Sequence, residues 1–328
     1  MAIGDCRSSG YLGRHRLPSQ AHPVTRPLSR LAQRRRRFGL ILLFALPLTA
    51  CGQTAELAFR AAVPLPPDLT KIHVELAAGE LRISSQAERE FTVVDGRLRW
   101  SAADPAVLER LAAIPIEFRL TATDRPGEYR LEVPRLPDDL VGKEASVEVR
   151  CVARLPAEVA LEIDNGGGNL AVHDRRAPVR LHTQRGEITV ARSSGFADVL
   201  TGNGKVFVLD HRGGVKAVSG EPDRPKTSGG AVWARILELG PEGVDVSTHG
   251  DSIQLFLPRD ASCEVDAQVM TGPAGKVSIR EGFGLEVTPD GQGHVCRGRI
   301  RDGGPLVRAR LGRGWLSIAR GRLSPDER

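Results

Sequence analysis

At 328 residues with 41% hydrophobic content the chain is long enough for one large or two modest cores, and 36 glycines, 22 prolines and only 4% aromatics suit thin layers joined by many turns. The net charge of +6 is local: residues 1–50 hold nine arginines and one aspartate, a balance of +8, which leaves residues 51–328 at −2. A chain near neutrality over that length excludes a general nucleic-acid role.

Residues 1–50 read as an address. Arg34 to Arg37 form a basic block, Phe38 to Leu48 an apolar core, and Leu48-Thr49-Ala50-Cys51 follows at once. The core is too short to span a bilayer as a helix and has the flanks of a secretory signal. Arg35-Arg36-Arg37-Phe38 also fits a twin-arginine signal loosely, although a basic leader accounts for these arginines better. Leu-Thr-Ala-Cys resembles the lipobox of bacterial lipoproteins, which implies that Cys51 is diacylated, becomes the N-terminus and anchors the chain in the cell envelope. By the same resemblance Gly52 points to the outer rather than the inner membrane. Residues 51–71 are then expected to be a lipidated tether, stiffened at its end by Pro64, Pro66 and Pro67.

From residue 72 to 318 the pattern predicts one β domain. Ile72, Val74, Leu81 and Ile83 flank Gly79 in a first strand–turn–strand unit. Residues 72–155 are otherwise irregular. F-T-V-V and R-L-R-W are expected as strands around Asp95-Gly96, and Asp104-Pro105 opens a short helix through Ala113, with Asp as N-cap and Pro at the first helical position. Alternating strands follow from Ile116, Glu128 and Ala145, separated by Pro126-Gly127 and the loop from Pro134 to Gly142.

Residues 156–318 carry the repeat. Leu161 to Val172, Val179 to Val190 and Ala197 to Val208 repeat one 12-residue template, so Gly168, Gly186 and Gly204 are 18 residues apart. Apolar residues occupy the first, third, tenth and twelfth places, which is two period-2 strands around a glycine turn. Fixed-period self-similarity of this kind predicts an all-β, single-stranded β-solenoid (β-helix) of roughly 18–20-residue coils with one short helix in its N-terminal part. Looser copies end at Gly275 and contain Gly314, and Asp251 replaces the glycine in the unit from Val244. About eight coils stacked at ~4.8 Å give a rod of ~35–40 Å. The fifth place reads Asn165, Thr183, Thr201, Ser219, a column expected to form a hydrogen-bonded ladder from coil to coil. Residues 319–328 are expected to be a polar, frayed tail.

The Asn203-Gly204-Lys205-Val206 turns, the L-P-R-D-A-S-C-E-V-D-A run from Leu257 and the lipobox together resemble the bacterial β-strand-repeat putative adhesin family, domain of unknown function 4097. The resemblance covers most of residues 72–279 and implies a β-solenoid exposed in the envelope. Its adhesin label rests on fold analogy.

Chemistry-bearing motifs are few. Gly272-Pro-Ala-Gly275-Lys276 fails as a phosphate loop, because the pattern needs Gly at Met270 and Ser or Thr at Val277. No nucleophile elbow, Cys-x-x-Cys or His-rich metal spacing occurs, so no metal or cofactor is expected. The second place reads Glu162, Arg180, Asp198, Lys216, alternating in sign as cross-coil ion pairs should. His249, Asp251 and Asp266 are left as unpaired candidates. Outside the signal, Cys151, Cys263 and Cys296 permit one disulfide, with Cys263–Cys296 preferred to either pairing with Cys151. Residues 297–328 carry nine arginines against three acids, which suits either a solvated last coil or contact with an anionic surface. The expected function is non-enzymatic: a lipid-anchored binding, adhesin-like or scaffolding protein with an envelope glycan or protein partner. The alternative is a carbohydrate-active β-helix enzyme, a polysaccharide hydrolase or lyase.

Overall fold

A computed structural model describes residues 42–45, 54–87, 90–114, 117–133, 145–220, 229–270, 276–279, 283–291 and 293–321. The rest of the expected signal, Cys51, Gly275, the loop from Pro134 to Gly142 and residues 322–328 lie outside the described residues. The described chain is all-β with one helix, and its strands belong to a single hydrogen-bonded sheet.

The repeat stacks as its period demands. Val179–Thr183 lies parallel to Ala160–Asn165 on one side and to Ala197–Thr201 on the other, each residue facing its equivalent 18 positions away. The second strands do the same: Leu170 faces Ile188, and Ile188 faces Val206. First, third, tenth and twelfth places are buried in all three units, so the core is a narrow column of Leu, Ile, Val and Ala between two parallel ladders. Each such aliphatic side chain stabilises the fold by about 1.5–3 kcal/mol on burial.

Two backbone features fix the turn between the strands. A Cβ added at Gly168 would overlap the carbonyl oxygen of Gly79, one at Gly186 that of Gly168, and one at Gly204 that of Gly186. Glycine is required because the turns stack backbone on backbone. The fifth-place column does not bond to itself, as the ladder expectation had it. Each side chain donates instead to the glycine carbonyl one unit back: Asn165 Nδ2 to Gly79 O at 3.0 Å, Thr183 Oγ1 to Gly168 O at 3.1 Å, Thr201 Oγ1 to Gly186 O at 2.9 Å and Ser219 Oγ to Gly204 O at 2.6 Å. Thr248, absent from the sequence-derived column, continues it to Gly230 O at 2.9 Å. Buried carbonyls left without donors would each cost on the order of 1–3 kcal/mol.

Stacking order departs from chain order at both ends. Lys71–Leu76 pairs with both Glu128–Glu132 and Ala160–Asn165, so the first unit in sequence lies inside the stack. At the other end Leu306–Leu311 is inserted between residues 244–248 and Cys263–Val269, and Trp315–Arg320 between Ser252–Leu257 and Lys276–Ile279. Antiparallel strands complete both ends. Thr54–Pro64, Phe91–Ala102 and Ala145–Pro156 form one group, and Gly293–Ile300 pairs with Cys263–Val269.

The expected tether is therefore corrected. Thr54–Pro64 is an 11-residue strand whose Phe59, Ala61 and Val63 are buried, and Leu65 continues the alternation. Leu42–Ala45, within the expected signal core, pairs antiparallel with the same strand. Asp95-Gly96 does not separate two strands either: Phe91–Ala102 is continuous, and Gly96 admits the Arg150 backbone, Cys151 and the Phe59 ring where a Cβ would sit. The helix Pro105–Ala112 is capped by Asp104, which accepts from Ala106 N at 2.9 Å, and it buries Leu108 and Leu111. The strand Trp315–Arg320 runs past Ile318, so Ala319 is buried core rather than tail.

The preferred disulfide is also corrected. Cys263 faces Ile300 and Cys296 faces Ala267 on one antiparallel pair, four residues out of register. At about 3.4 Å per residue that separates the Cα atoms far beyond the ~7 Å limit for a bridge. Cys151, Cys263 and Cys296 are buried free thiols, with burial pushing Cys151 up to about 12 and Cys263 to about 11.

The register makes a direct prediction. Val206 is fully buried and Lys205 exposed. Val206→Asp should lower stability by several kcal/mol, as expected for an unpaired buried carboxylate, and Lys205→Asp by much less. Denaturant melts of the two variants check this; equal losses would contradict the inward and outward assignment.

Candidate functional site

Because first and third places point inward, second places point out and stack into one column. The structure extends the four residues legible in the sequence to a longer run: Arg130, His73, Glu162, Arg180, Asp198, Lys216, Asp245, Arg308, Asp266 and Arg297, each facing the next across a strand pair. From His73 to Arg297 basic and acidic residues alternate; at the outer end Arg130 faces His73, base on base. Arg180 lies 3.5 Å from Glu162 and 3.9 Å from Asp198, and Lys216 lies 3.8 Å from Asp198. Arg308 reaches Asp245 at 3.4 Å and Asp266 at 3.9 Å, while Arg297 reaches Asp266 at 3.0 Å. Glu162 is the most supported member: Lys71 at 2.6 Å, then His73 and Arg180, hold its carboxyl below the usual range. His73 does the same for Glu128 at 3.0 Å.

The three acid–base candidates separate here. Asp266 is paired twice and is not free. Asp251 occupies the glycine place with φ of 71°, and His249 sits at the same turn, its backbone packed against Gly312. The described residues contain no group of three or more His, Cys, Asp or Glu able to hold a metal. Several arginines of the basic C-terminal segment find partners within the protein while their side chains stay at the surface. Arg297 and Arg308 belong to the column, Arg299 pairs with Glu264 at 3.5 Å, Arg301 donates to the carbonyls of Asp260 and Arg259, and Arg320 covers the Phe283 ring at 4.5 Å.

A second feature lies in the six residues between successive templates, where no apolar pattern drew notice. Each unit turns at its fourteenth place with positive φ: Asp174 (59°), Arg192 (49°) and Asp210 (55°). These side chains pair outward, Arg192 gripping Asp174 through two bonds of 2.7 and 2.9 Å and Arg235 reaching Asp210 at 2.7 Å. The fifteenth place points inward and stacks Arg175, Ser193 and His211, all buried. His211 Nε2 lies 3.0 Å from Gly195 O and 3.2 Å from Gly214 O, two acceptors, so this nitrogen carries the proton and Nδ1 accepts from Ser193 Oγ at 2.9 Å. Burial holds the His211 pKa below its ordinary value. Among the described residues no carboxylate contacts this imidazole, and the Ser193–His211 pair satisfies buried polar groups. Arg175, only 1% exposed, donates to the carbonyls of Leu155 and Val159, and its Nε meets no acceptor.

This corner is concave. One hollow of about 660 Å³ is lined by residues including Arg175, Arg192, Ser193 and Asp210, and a second of about 470 Å³ includes Leu257, Pro258 and Arg259. They share Arg212, Arg235 and Leu237. The signal for it in the sequence is the same 18-residue spacing, read at places fourteen to sixteen.

No family model matches the chain, and no curated protein matches it. Among solved structures it is similar to a "putative cell adhesion protein" from Clostridium sporogenes, with 13% identity and a TM-score of 0.29 over 80% of this chain and 100% of that one. It is likewise similar to a "putative adhesin" from Bacteroides fragilis, with 10% identity and a TM-score of 0.29 over 80% and 97%. A "putative lipid binding protein" from Parabacteroides distasonis shows 8% identity and the same TM-score and coverages. Likenesses at these scores carry no argument about fold or function.

The charge column predicts an acid limb in stability. A carboxyl held below its unfolded value contributes stability above that value and loses it as pH falls through the folded one. Glu162 therefore contributes its full stabilisation above pH ~4.5 and loses it progressively as pH falls below that, through its lowered folded value. Glu162→Gln should flatten the acid side of the stability–pH curve and destabilise at pH 7, measured by urea melts between pH 3 and 7. An unchanged acid limb would show that Glu162 is not held by its neighbours.

Proposed function

We propose that the protein is a β-solenoid, anchored in the bacterial cell envelope through an acylated Cys51, that serves as a non-enzymatic contact or scaffolding surface of the adhesin-like kind. Its architecture is supported by parallel units that face their equivalents at 18-residue offsets. Its anchoring is supported by the Leu48 to Cys51 lipobox. The observation that carries the functional reading is the alternating column, in which Glu162, Asp198, Asp245 and Asp266 are each flanked by bases. A glycan hydrolase of the usual kind needs two acids facing a substrate with pKa values set apart. Here the aligned acids serve as structural partners for the next unit.

Two measurements test this. The purified protein, incubated with a panel of envelope and plant polysaccharides, should release neither reducing ends nor unsaturated products, and Asp198→Asn should lower stability by no more than about 1 kcal/mol. Turnover that disappears in Asp251→Asn or Asp266→Asn would replace the scaffold reading with a carbohydrate enzyme. For the anchor, Cys51→Ala should abolish acylation and shift the protein out of the detergent phase; normal partitioning of that variant would refute lipidation.

A further inference from the structure

Thr54–Pro64 is the last strand of its group: Phe91–Ala102 pairs along one edge, and among the described residues only Leu42–Ala45 pairs along the other, opposite Leu57 to Arg60. That second edge lacks the usual defences. The strand runs for 11 residues in unbroken register with its neighbour, carries no lysine and has its one proline at the last position. Its inner face is unevenly covered. Phe59, Ala61 and Val63 are buried, whereas Ala55 and Leu57 on the same face are only partly so. The four residues that cover the middle of this edge belong to the expected signal, and cleavage before Cys51 removes them. Processing then leaves a row of backbone donors and acceptors open.

We infer that the processed protein forms a two-fold dimer in which Thr54–Pro64 pairs antiparallel, edge to edge, with the same strand of a second copy. An edge that accepts the antiparallel strand Leu42–Ala45 has the geometry to accept another. Face and charge choose the register. The apolar faces of the two copies coincide only when the two-fold axis passes through a residue, since a slip of one position reverses every side chain. With Ala58 on the axis, Glu56 stands opposite Arg60 of the second copy. Centring on Glu56 or Arg60 brings like charges together, and centring on Leu57 or Phe59 sets both against uncharged residues. Within each chain Arg60 lies 3.3 Å from Asp95 and Glu56 3.1 Å from Arg97, all four exposed. Across the dimer the row therefore reads Arg97, Glu56, then Arg60 and Asp95 of the second copy. The second copy extends an alternating row, as in the second-place column; no partner was missing. On the inner face Leu57 meets Phe59, and Ala55 meets Ala61, which covers the part that one chain leaves partly open. A patch complementary to itself is what a two-fold contact requires. The inference rests on the lipobox reading, because release of Leu42–Ala45 needs cleavage before Cys51.

For the test, the full chain is expressed in a bacterium, extracted in detergent and sized by sedimentation velocity, with intact mass reporting whether residues 1–50 are gone. Processed protein should be a dimer and the uncleaved Cys51→Ala variant a monomer. Ala58→Cys should join two copies on oxidation with diamide, because directly opposed residues have Cα atoms about 4.5–5.5 Å apart, within disulfide range. Ala62→Cys, on the same face but about 27 Å from its counterpart, should not. Glu56→Arg and Arg60→Glu should each weaken dimerisation at least about tenfold, and the double variant should return to within about threefold of the wild type. A role confined to one chain predicts no such rescue, since the double variant loses both contacts within the chain. Processed protein that stays monomeric, equal dimerisation of Cys51→Ala, equal cross-linking at Ala62→Cys, or no rescue in the double variant would each overturn the edge pairing and leave the anchor standing. A wild-type chain that keeps residues 1–50 would overturn both the anchor and the release.

Discussion

In-register parallel pairing places each residue directly on its equivalent 18 positions earlier, and the rest of the structure answers to that constraint. At the turn it brings backbone onto backbone. The successive glycines leave no room for a Cβ, and the stacked carbonyls accept side-chain donors from the next unit. Thr183, Thr201, Ser219 and Thr248 provide them from the neighbouring unit, which ties side-chain identity at the fifth place to backbone geometry at the eighth. Where the constraint lapses, so does the pairing of residue types. Leu311 faces Thr248 in the fifth place, and the turn it reaches is built on Asp251 instead of glycine.

Outside the core the same constraint becomes electrostatic. Like charges stacked directly across a strand pair repel, whereas alternating ones attract weakly at each step. The second-place column alternates from His73 to Arg297, including through units that depart from the 18-residue template. Individually these exposed pairs contribute little. Their effect is register: a slip of one unit would set base on base and acid on acid along the face.

The ends show how a stack of open edges is managed. Antiparallel strands close over both ends, with Ala145–Pro156 turning the parallel ladder into an antiparallel one at one end and Gly293–Ile300 doing so at the other. Val287–Asp290 pairs with Gly293–Ile300 and carries Pro289 and Asp290, residues that discourage a further strand from adding. Loading the last parallel units out of chain order places the well-formed unit from Leu306 between two others, where both of its faces are covered.

The sequence alone determined the repeating part: an 18-residue period with apolar first, third, tenth and twelfth places has one way to bury them, and Gly168, Gly186 and Gly204 could be assigned before any coordinates. It also showed Glu162, Arg180, Asp198 and Lys216 as a column, since stacking follows from the period. The tertiary structure alone decided what depends on contacts distant in sequence. Thr54–Pro64 looked like a proline-stiffened tether because its partner, Phe91–Ala102, is not adjacent to it in the chain. Cys263 and Cys296 were separated by an antiparallel register that spacing does not reveal. The arginine corner stayed hidden because places fourteen to sixteen have no apolar rhythm, and only the fold of six residues around a positive-φ turn brings Arg175, Arg212 and Arg235 to one hollow.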